Sequence, residues 1–463
     1  MHATGAPGEI SEQFRHEALM YAGDEGFLAG TLPFIRAGVA AGEPVMVAVA
    51  PDRIQKLTEA LGSDAEAVRF VDMRQIGGNP ARIIPAWVDW VEEVSRDGRA
   101  IRGIGEPVWP ERSADELAEC ERHEALLNLV LAKHSQLRLL CPYDVTQLDP
   151  AALEVGHRTH PLVLREGQSQ AGDVYPGLER VAQPHEASLP PPPELVDEIE
   201  FNAGQGLEAR DFVARRATLA GLPTLRRADL EWAVTELVTN SIRHGGGRGT
   251  LRFWQDGAEV VCEVQDQGHI DDPLIGRERP ALAAAQGRGL WLVNQICNLV
   301  QIRSTAVGTT VRIHVSRAEG PREVGGLPLL SDQLLTAIDR FALEAERQLS
   351  QRDRSLLWRL SPGAESLLMG LPDSGTRAAD LPQPLATSRS ALLALRTELE
   401  SAGLIIQRPE PAGMVRLLPT AKARRLRLAV TTSRRTVLEG VVARLPADAL
   451  ADVGSALGHW AGR

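Results

Sequence analysis

The sequence predicts a multidomain chain of α/β and α+β class. A mostly parallel α/β sheet comes first, an α/β sandwich follows, and a mostly helical segment closes the chain. Three observations predict this. Two breaks rich in proline, glycine and charge divide the 463 residues, and such a length holds about three domains at roughly 150 residues each. The first part alternates short apolar runs with helical patterns, as strands joined by crossover helices do. The middle part carries one strongly periodic helix, then a hairpin, then a glycine-punctuated turn.

Composition removes several classes. Apolar residues at 43% and charged residues at 24% are ordinary for a globular chain, which excludes a disordered, collagenous or coiled-coil protein. The four cysteines (Cys120, Cys141, Cys262 and Cys297) form no CxxC pair, so no zinc ribbon or thioredoxin-like motif is present. Scattered thiols fit a reducing compartment, and a cytoplasmic location is expected. The first residues lack the basic-then-apolar order of a signal peptide. No run of 18 apolar residues occurs, so no spanning helix and no membrane partner are expected. The net charge of -11 is uneven, because residues 377–435 hold 11 basic against 4 acidic side chains. A basic tail on an acidic body suits nucleic acid. Only three of the 50 basic residues are lysine, a bias that weakens any argument from arginine abundance alone.

The chain divides into 1–183, a proline-rich linker at 184–193, a middle segment at 194–316, a linker at 317–326, and 327–463. Pro190 to Pro193 favour a stiff extended spacer. In the first segment the apolar runs place strands at Ala18–Ala22, Val45–Ala50, Val68–Val71, Ile101–Ile104 and Leu137–Cys141. Helices are expected at Glu25–Ala40, Arg53–Leu61, Pro80–Ser95 and Ala114–His134. Ligands of such sheets bind beyond the carboxyl ends of the strands. The loop after the first strand, YAGDEGF, lacks the GK[ST] of a phosphate-binding loop. The stretches FRHEALMYAGDEGFLAG, RGIGEPVWPERS, ECERHEALLNL and LLCPYD together resemble the MEDS sensory domain. The resemblance implies a RecA/KaiC-like sheet that has lost its nucleotide loop and senses a small molecule. His16, Glu106, Trp109, Cys141, Tyr143 and Asp144 are the candidate contacts. His123, His157 and His160 stand apart from one another in the chain. Such isolated histidines are more often hydrogen-bonded structural groups than metal ligands.

In the middle segment, Leu230, Ala233, Val234, Leu237, Val238 and Ile242 repeat with helical spacing over Asp229–Arg243. Glu236 and Asn240, four apart, share one face. Asparagine competes with the helical backbone, so its presence there calls for a reason. An amide oxygen can ligate Mg²⁺ and a carboxylate can accept a proton from a hydroxyl. A strand pair, Thr250–Trp254 and Glu259–Gln265, turns at Asp256-Gly257. Asp266 then ends the second strand, able to accept from an exocyclic amine, with Gly268 allowing close approach. Gly287, Arg288 and Gly289 open a helix, WLVNQICNLV, whose first N–H groups suit phosphate. In the last strand, GTTVRI, Thr309 or Thr310 is placed to face a base. This order resembles the GHKL (HATPase_c) ATPases with their Bergerat nucleotide site. The resemblance implies ATP as cofactor, Mg²⁺ on Asn240, adenine on Asp266, phosphates on Gly287 and Gly289, and Glu236 as general base. No two-helix hairpin with a phospho-acceptor histidine precedes the key helix. ELVTNSIRHG and GRGL are most similar to the anti-sigma-factor serine/threonine kinases, which implies a sigma factor or an anti-sigma antagonist protein as partner.

The last segment reads as a helix at Leu330–Leu349, a short helix at 363–370, a second near 376–381, and an amphipathic helix at Thr387–Ala402. Two strands around a Pro/Gly turn and a long helix from Thr420 follow. LRTELESAGLI, RPEP and VRLLPTAKAR together resemble the MarR winged-helix regulators. This implies binding of double-stranded DNA through Thr387, Ser388, Arg389, Ser390 and Arg396, with Arg408 and Arg416 in the wing, and a homodimer. The wing tip is shorter than that family's, and Pro382 and Pro384 interrupt the turn between its helices. The whole then reads as a bacterial signal-transduction regulator of transcription. The alternatives are a DNA-binding regulator that uses ATP only as an effector, and a non-catalytic scaffold.

Overall fold

A computed structural model describes residues 14–95, 98–165, 167–181, 188–203, 205–280, 288–318, 348–357, 360, 362–377, 389–410 and 415–442. The first sheet contains β1 (Arg15–Tyr21), β2 (Val45–Val49), β3 (Val68–Asp72), β4 (Ile101–Gly105), β5 (Leu137–Asp144), β6 (Leu162–Arg165) and β7 (Gln168–Ala171). Their order is β3-β2-β4-β5-β1-β6-β7. All neighbours are parallel except β6 and β7. Both faces are covered, so β2 is buried at all five positions. Val45, Val47 and Val49 meet α1 (Gly23–Ala40) and α2 (Pro51–Leu61) on one face. Met46 and Ala48 join the opposite core, shared with α4 (Ile83–Val94) and α5 (Ala114–Val130). The short α3 (Met73–Ile76), α6 (Pro150–Thr159) and α7 (Leu178–Val181) complete this region.

Two differences from the sequence reading matter for function. β1 starts three residues earlier than its apolar run, so His16 lies inside the strand and the core rather than at a carboxyl end. Polar Arg15, His16 and Glu17 hid this from an apolar-run criterion. β5 continues through Pro142, paired residue by residue with β1, so Tyr143 and Asp144 belong to the strand. A proline removes only one ladder donor there.

The second sheet is antiparallel, in order β11-β12-β10-β9-β8. It comprises β8 (Asp197–Asn202), β9 (Arg248–Asp256), β10 (Glu259–Asp266), β11 (Leu299–Thr305) and β12 (Gly308–Ser316). The helices α8 (Gly206–Leu219), α9 (Thr224–His244) and α10 (Arg288–Ile296) cover one face. The helix expected over WLVNQICNLV stops at Ile296, because Leu299 and Val300 pair in β11. On the other face Arg252 and Arg312 both pair with Glu263. Arg312 also donates to the Pro190 carbonyl at 2.7 Å, which fastens the proline-rich spacer to this sheet.

The last region holds α11 (Gln351–Leu357), α12 (Pro362–Gly370), α13 (Arg389–Ser401) and α14 (Ala421–Val442). A small sheet in order β13-β15-β14 joins them, from β13 (Thr376–Arg377), β14 (Ile405–Pro409) and β15 (Val415–Pro419). Where a helix was expected near 376–381, Gly375 turns with φ 76° and the next two residues pair with β15. Thr387 and Ser388, and most of the helices expected at 330–349 and 420–460 beyond Val442, lie outside the described residues. No described helix is long and apolar enough to cross a membrane.

Candidate functional site

In the antiparallel domain, α9, the end of β10, the first turn of α10 and the start of β12 carry those predicted residues that are described. Leu230, Ala233, Val234, Leu237 and Val238 of α9 pack on the sheet, which turns the half-buried Glu236 and Asn240 away from it. Asp266 ends β10 facing the same helical layer. Its Oδ2 accepts from the Ser241 hydroxyl at 2.5 Å and its Oδ1 from the Gly268 N–H at 2.8 Å. A Cβ on Gly245 would fall 2.3 Å from the Asp266 Cγ, so the turn after α9 touches this carboxylate. With two donors fixed on it, Asp266 keeps lone pairs for a third. Across the ladder Asp266 faces Thr309, whose hydroxyl donates to the Gly268 carbonyl at 2.9 Å. Thr309 therefore shares the site's face, and Thr310, one residue on, points to the opposite face.

The first turn of α10 stands over α9. A Cβ on Gly289 would lie 2.5 Å from the Glu236 Oε2 and 3.7 Å from the Asn240 Nδ2. The absence of a side chain there leaves a cradle between a helix N-terminus, a carboxylate and an amide. That cradle fits phosphate oxygens and a bridging hard cation. Gly287 lies outside the described residues, as does the side chain of Arg288. Sequence reasoning missed Ser241 and Gly245. Their signal was adjacency: Ser241 follows Asn240, and Gly245 opens the glycine triplet.

The six sensory candidates separate into three places. His16 and Cys141 meet in the core, Nε2 to Sγ at 3.3 Å, beside Glu124 and His160. Tyr143 lies next to them, its ring against His160. Glu106 and Asp144 lie at the carboxyl edge of the sheet. There Tyr21 donates to Glu106 at 2.8 Å, and Arg53 bridges Asp24 at 2.7 Å and Asp144 at 3.3 Å. Burial pushes the Glu106 carboxyl up to about 7, against the opposing pull of the Tyr21 hydroxyl and Arg53. Trp109 stands apart, stacked under Arg112 and near Arg74.

The two domains touch through buried polar contacts. Glu119 of α5 takes Arg303 at 2.7 Å and Arg277 at 2.5 Å, all three being buried. Burial alone would raise the Glu119 pKa, but the two guanidinium groups outweigh it and hold the carboxyl below its ordinary range. Arg122 donates to the Pro273 carbonyl and Asp115 accepts from Gln301. Arg82 donates to the carbonyls of Asn294 and Cys297 at the end of α10, where a cation also suits the helix dipole. The sensory half thus holds the far end of the helix whose first turn stands over Glu236.

This arrangement defines a class: a mostly parallel α/β domain docked on an antiparallel α+β domain. Comparison with protein families agrees. Residues 15–161 match the MEDS family, described as MEthanogen/methylotroph, DcmR Sensory domain. Residues 199–315 match the histidine kinase-like ATPase domain. The chain carries a MEDS sensory domain followed by a histidine kinase-like ATPase domain, and the second match implies ATP binding. No curated protein matches the chain.

Proposed function

We propose that this chain is a signalling regulator in which the MEDS domain sets the activity of an anti-sigma-like, ATP-dependent serine/threonine kinase. The observation that supports the reading is that α9 meets both places: its Glu236 and Asn240 lie against Gly289, and its Ser241 donates to Asp266. When bound, MgATP supplies the transferable phosphoryl group. The chain's own residues then have separate tasks. Asp266 accepts the exocyclic amine of adenine. Asn240 lends its amide oxygen to the cation. The N–H groups at Gly289 hold phosphate, and Glu236 accepts the proton of a serine or threonine hydroxyl on an antagonist protein. A sigma factor or its antagonist is the partner this chemistry suits.

Control by the sensor follows from α5. At about 100° per residue, Asp115, Glu119 and Arg122 lie on one face, while Glu124 and Asn128 lie roughly opposite. The first set contacts the ATPase domain and the second contacts His16, Cys141 and Thr159. A change at the buried cluster therefore moves a helix that also holds the ATPase domain.

The test compares three proteins by Mg²⁺-dependent ATP calorimetry and phosphotransfer. Glu236→Ala is expected to bind ATP and transfer nothing. Gly289→Val is expected to lose binding, because its side chain occupies the cradle. Unchanged transfer in Glu236→Ala removes the kinase assignment.

A second reading concerns the C-terminal module, which we propose as a MarR-like winged helix that binds duplex DNA. The three-stranded sheet beside α13 supports it, with Arg408 exposed on β14. Arg416 favours it less, being tied with Arg377 to Glu410. Arg396 is likewise engaged, by Gln407.

A further inference from the structure

The sensory half of that reading leaves open what its buried cluster holds. We infer that His16, Glu124, Cys141 and His160 form a closed tetrahedral site for a zinc ion. Four elements supply the ligands: β1, α5, β5 and the residue after α6. The inward atoms lie within 4.8 Å of one another. His16 Nε2 is 3.1 Å from Glu124 Oε2, and His160 Nε2 is 3.5 Å from the same oxygen. Cys141 Sγ is 3.3 Å from His16 Nε2 and 3.7 Å from Glu124 Oε2. A zinc ion bound at roughly 2.0–2.3 Å to N, O and S in a tetrahedron separates its ligands by about 3.3–3.8 Å. Three of these separations fall in that range, the His16–Glu124 pair is slightly closer at 3.1 Å, and every pair lies within 4.8 Å.

Hydrogen bonds outside the four ligands aim them. Asn128 donates through Nδ2 to the Thr159 carbonyl at 2.8 Å and to carbonyls of its own helix, which leaves its Oδ1 to accept from His16 Nδ1 at 3.1 Å. His160 Nδ1 lies 2.9 Å from the Gly156 carbonyl, so it carries the proton. Both rings therefore turn a Nε2 lone pair inward, as metal-bound histidines do when a carbonyl or amide oxygen holds the other nitrogen. His160 Nε2 has no hydrogen-bond partner, although fully buried.

The charges balance as well. Two neutral imidazoles, one thiolate and one carboxylate cancel a divalent cation, so the filled site is neutral in a core that tolerates no net charge. On binding, the S–H bond breaks, sulfur keeps its electron pair for the metal, and one proton leaves to solvent. Imidazole with thiolate and carboxylate in a four-coordinate set suits zinc better than Ca²⁺ or Mg²⁺, which take oxygen. Four protein ligands leave no open position, so the ion fixes α5 and does not activate water.

The test uses the full chain and metal readouts, so its failure is distinct from failure at the ATP site. Elemental analysis of the folded protein is expected to give one zinc per chain. After removal of zinc, added Co²⁺ is expected to give visible bands of tetrahedral intensity and a thiolate charge-transfer band, the latter lost in Cys141→Ser. Asn128→Ala keeps all four ligands but frees the His16 ring, and its zinc affinity is expected to fall about 10–100-fold. His157→Ala, outside the cluster, is expected to bind as the parent does. A folded parent chain that holds no zinc and yields no Co²⁺ bands overturns the inference. So do Co²⁺ bands that persist unchanged in Cys141→Ser.

Discussion

Replacing Glu119 by glutamine tests whether the sensory and ATPase domains form one unit. The change preserves shape and removes one negative charge between two buried guanidinium groups. Glu119 is fully buried, and the side chains of Arg277 and Arg303 are 5% and 6% exposed, so solvent screens little of the lost attraction. Breaking a buried pair by removing one partner costs about 3–5 kcal/mol, since an uncompensated charge stays behind. At roughly 1.4 kcal/mol per decade, docking of the two domains weakens by about two to three and a half powers of ten. Hydrogen exchange read on peptides from α5 and from 288–305 reports this opening directly. Urea unfolding reports the accompanying loss of stability.

A control separates removal from replacement. Glu119→Leu with Arg277→Met and Arg303→Leu removes all three charges at once, and that exchange is often neutral or stabilising. The triple variant is therefore expected to stay docked while Glu119→Gln opens. The acid dependence has a definite sign. The folded carboxyl lies below its ordinary pKa, so its contribution is present above the ordinary carboxylate value of 4.5. It is lost as pH falls through the lowered value. Parent-like exchange in Glu119→Gln at neutral pH, with a stability loss under about 1 kcal/mol, refutes the claim that this pair holds the domains together.

Two further outcomes are expected. Glu106 has its folded pKa raised from 4.5 to about 7. Its contribution to stability is thus complete below 4.5 and disappears as pH rises through 7, a difference of about 3 kcal/mol; urea melts of the parent and of Glu106→Gln between those limits check it, and identical profiles contradict it. If the C-terminal module binds duplex DNA, binding by the full chain falls with salt, and Arg408→Glu weakens it with a shallower salt slope. Absence of binding at low salt removes that reading.

Legibility in the sequence followed the length scale of the signal. The strands of the first sheet were readable because burial on both faces leaves continuous apolar runs such as Val45–Val49. The grouping of Glu236 with Asn240, and of Asp266 with Gly268, was readable because the first pair repeats at a helical spacing and the second sits at a strand end. Ser241 was not readable, since its contact with Asp266 spans 25 positions and any serine beside Asn240 looks the same on paper. The histidine–cysteine cluster was less readable still. His16 and Cys141 are 125 positions apart and Glu124 lies 17 positions before Cys141, so no spacing rule applies. Only the parallel pairing of β1 with β5 brings His16 beside that edge of the core.

The helix α5 gives these pieces a common mechanical account. An ordinary surface helix buries one apolar stripe and shows a polar face to water. This one buries Glu119, His123, Glu124 and Asn128 along with Cys120, Leu126 and Leu127. Burial of that many polar groups is costly unless each is paired, and the pairs lie on opposite sides. Glu124 and Asn128 face His16 and its neighbours, while Glu119 faces Arg277 and Arg303. Neither face can change partners without leaving a buried charge unmatched. A rotation of α5 that relaxes the histidine cluster therefore strains the arginine pair. Because coupling between two sites is reciprocal, ATP binding should alter the properties of the His16–Cys141 cluster by the same free energy. A chain in which saturating ATP leaves the zinc affinity of that cluster unchanged would show α5 to be a strut rather than a transmitter.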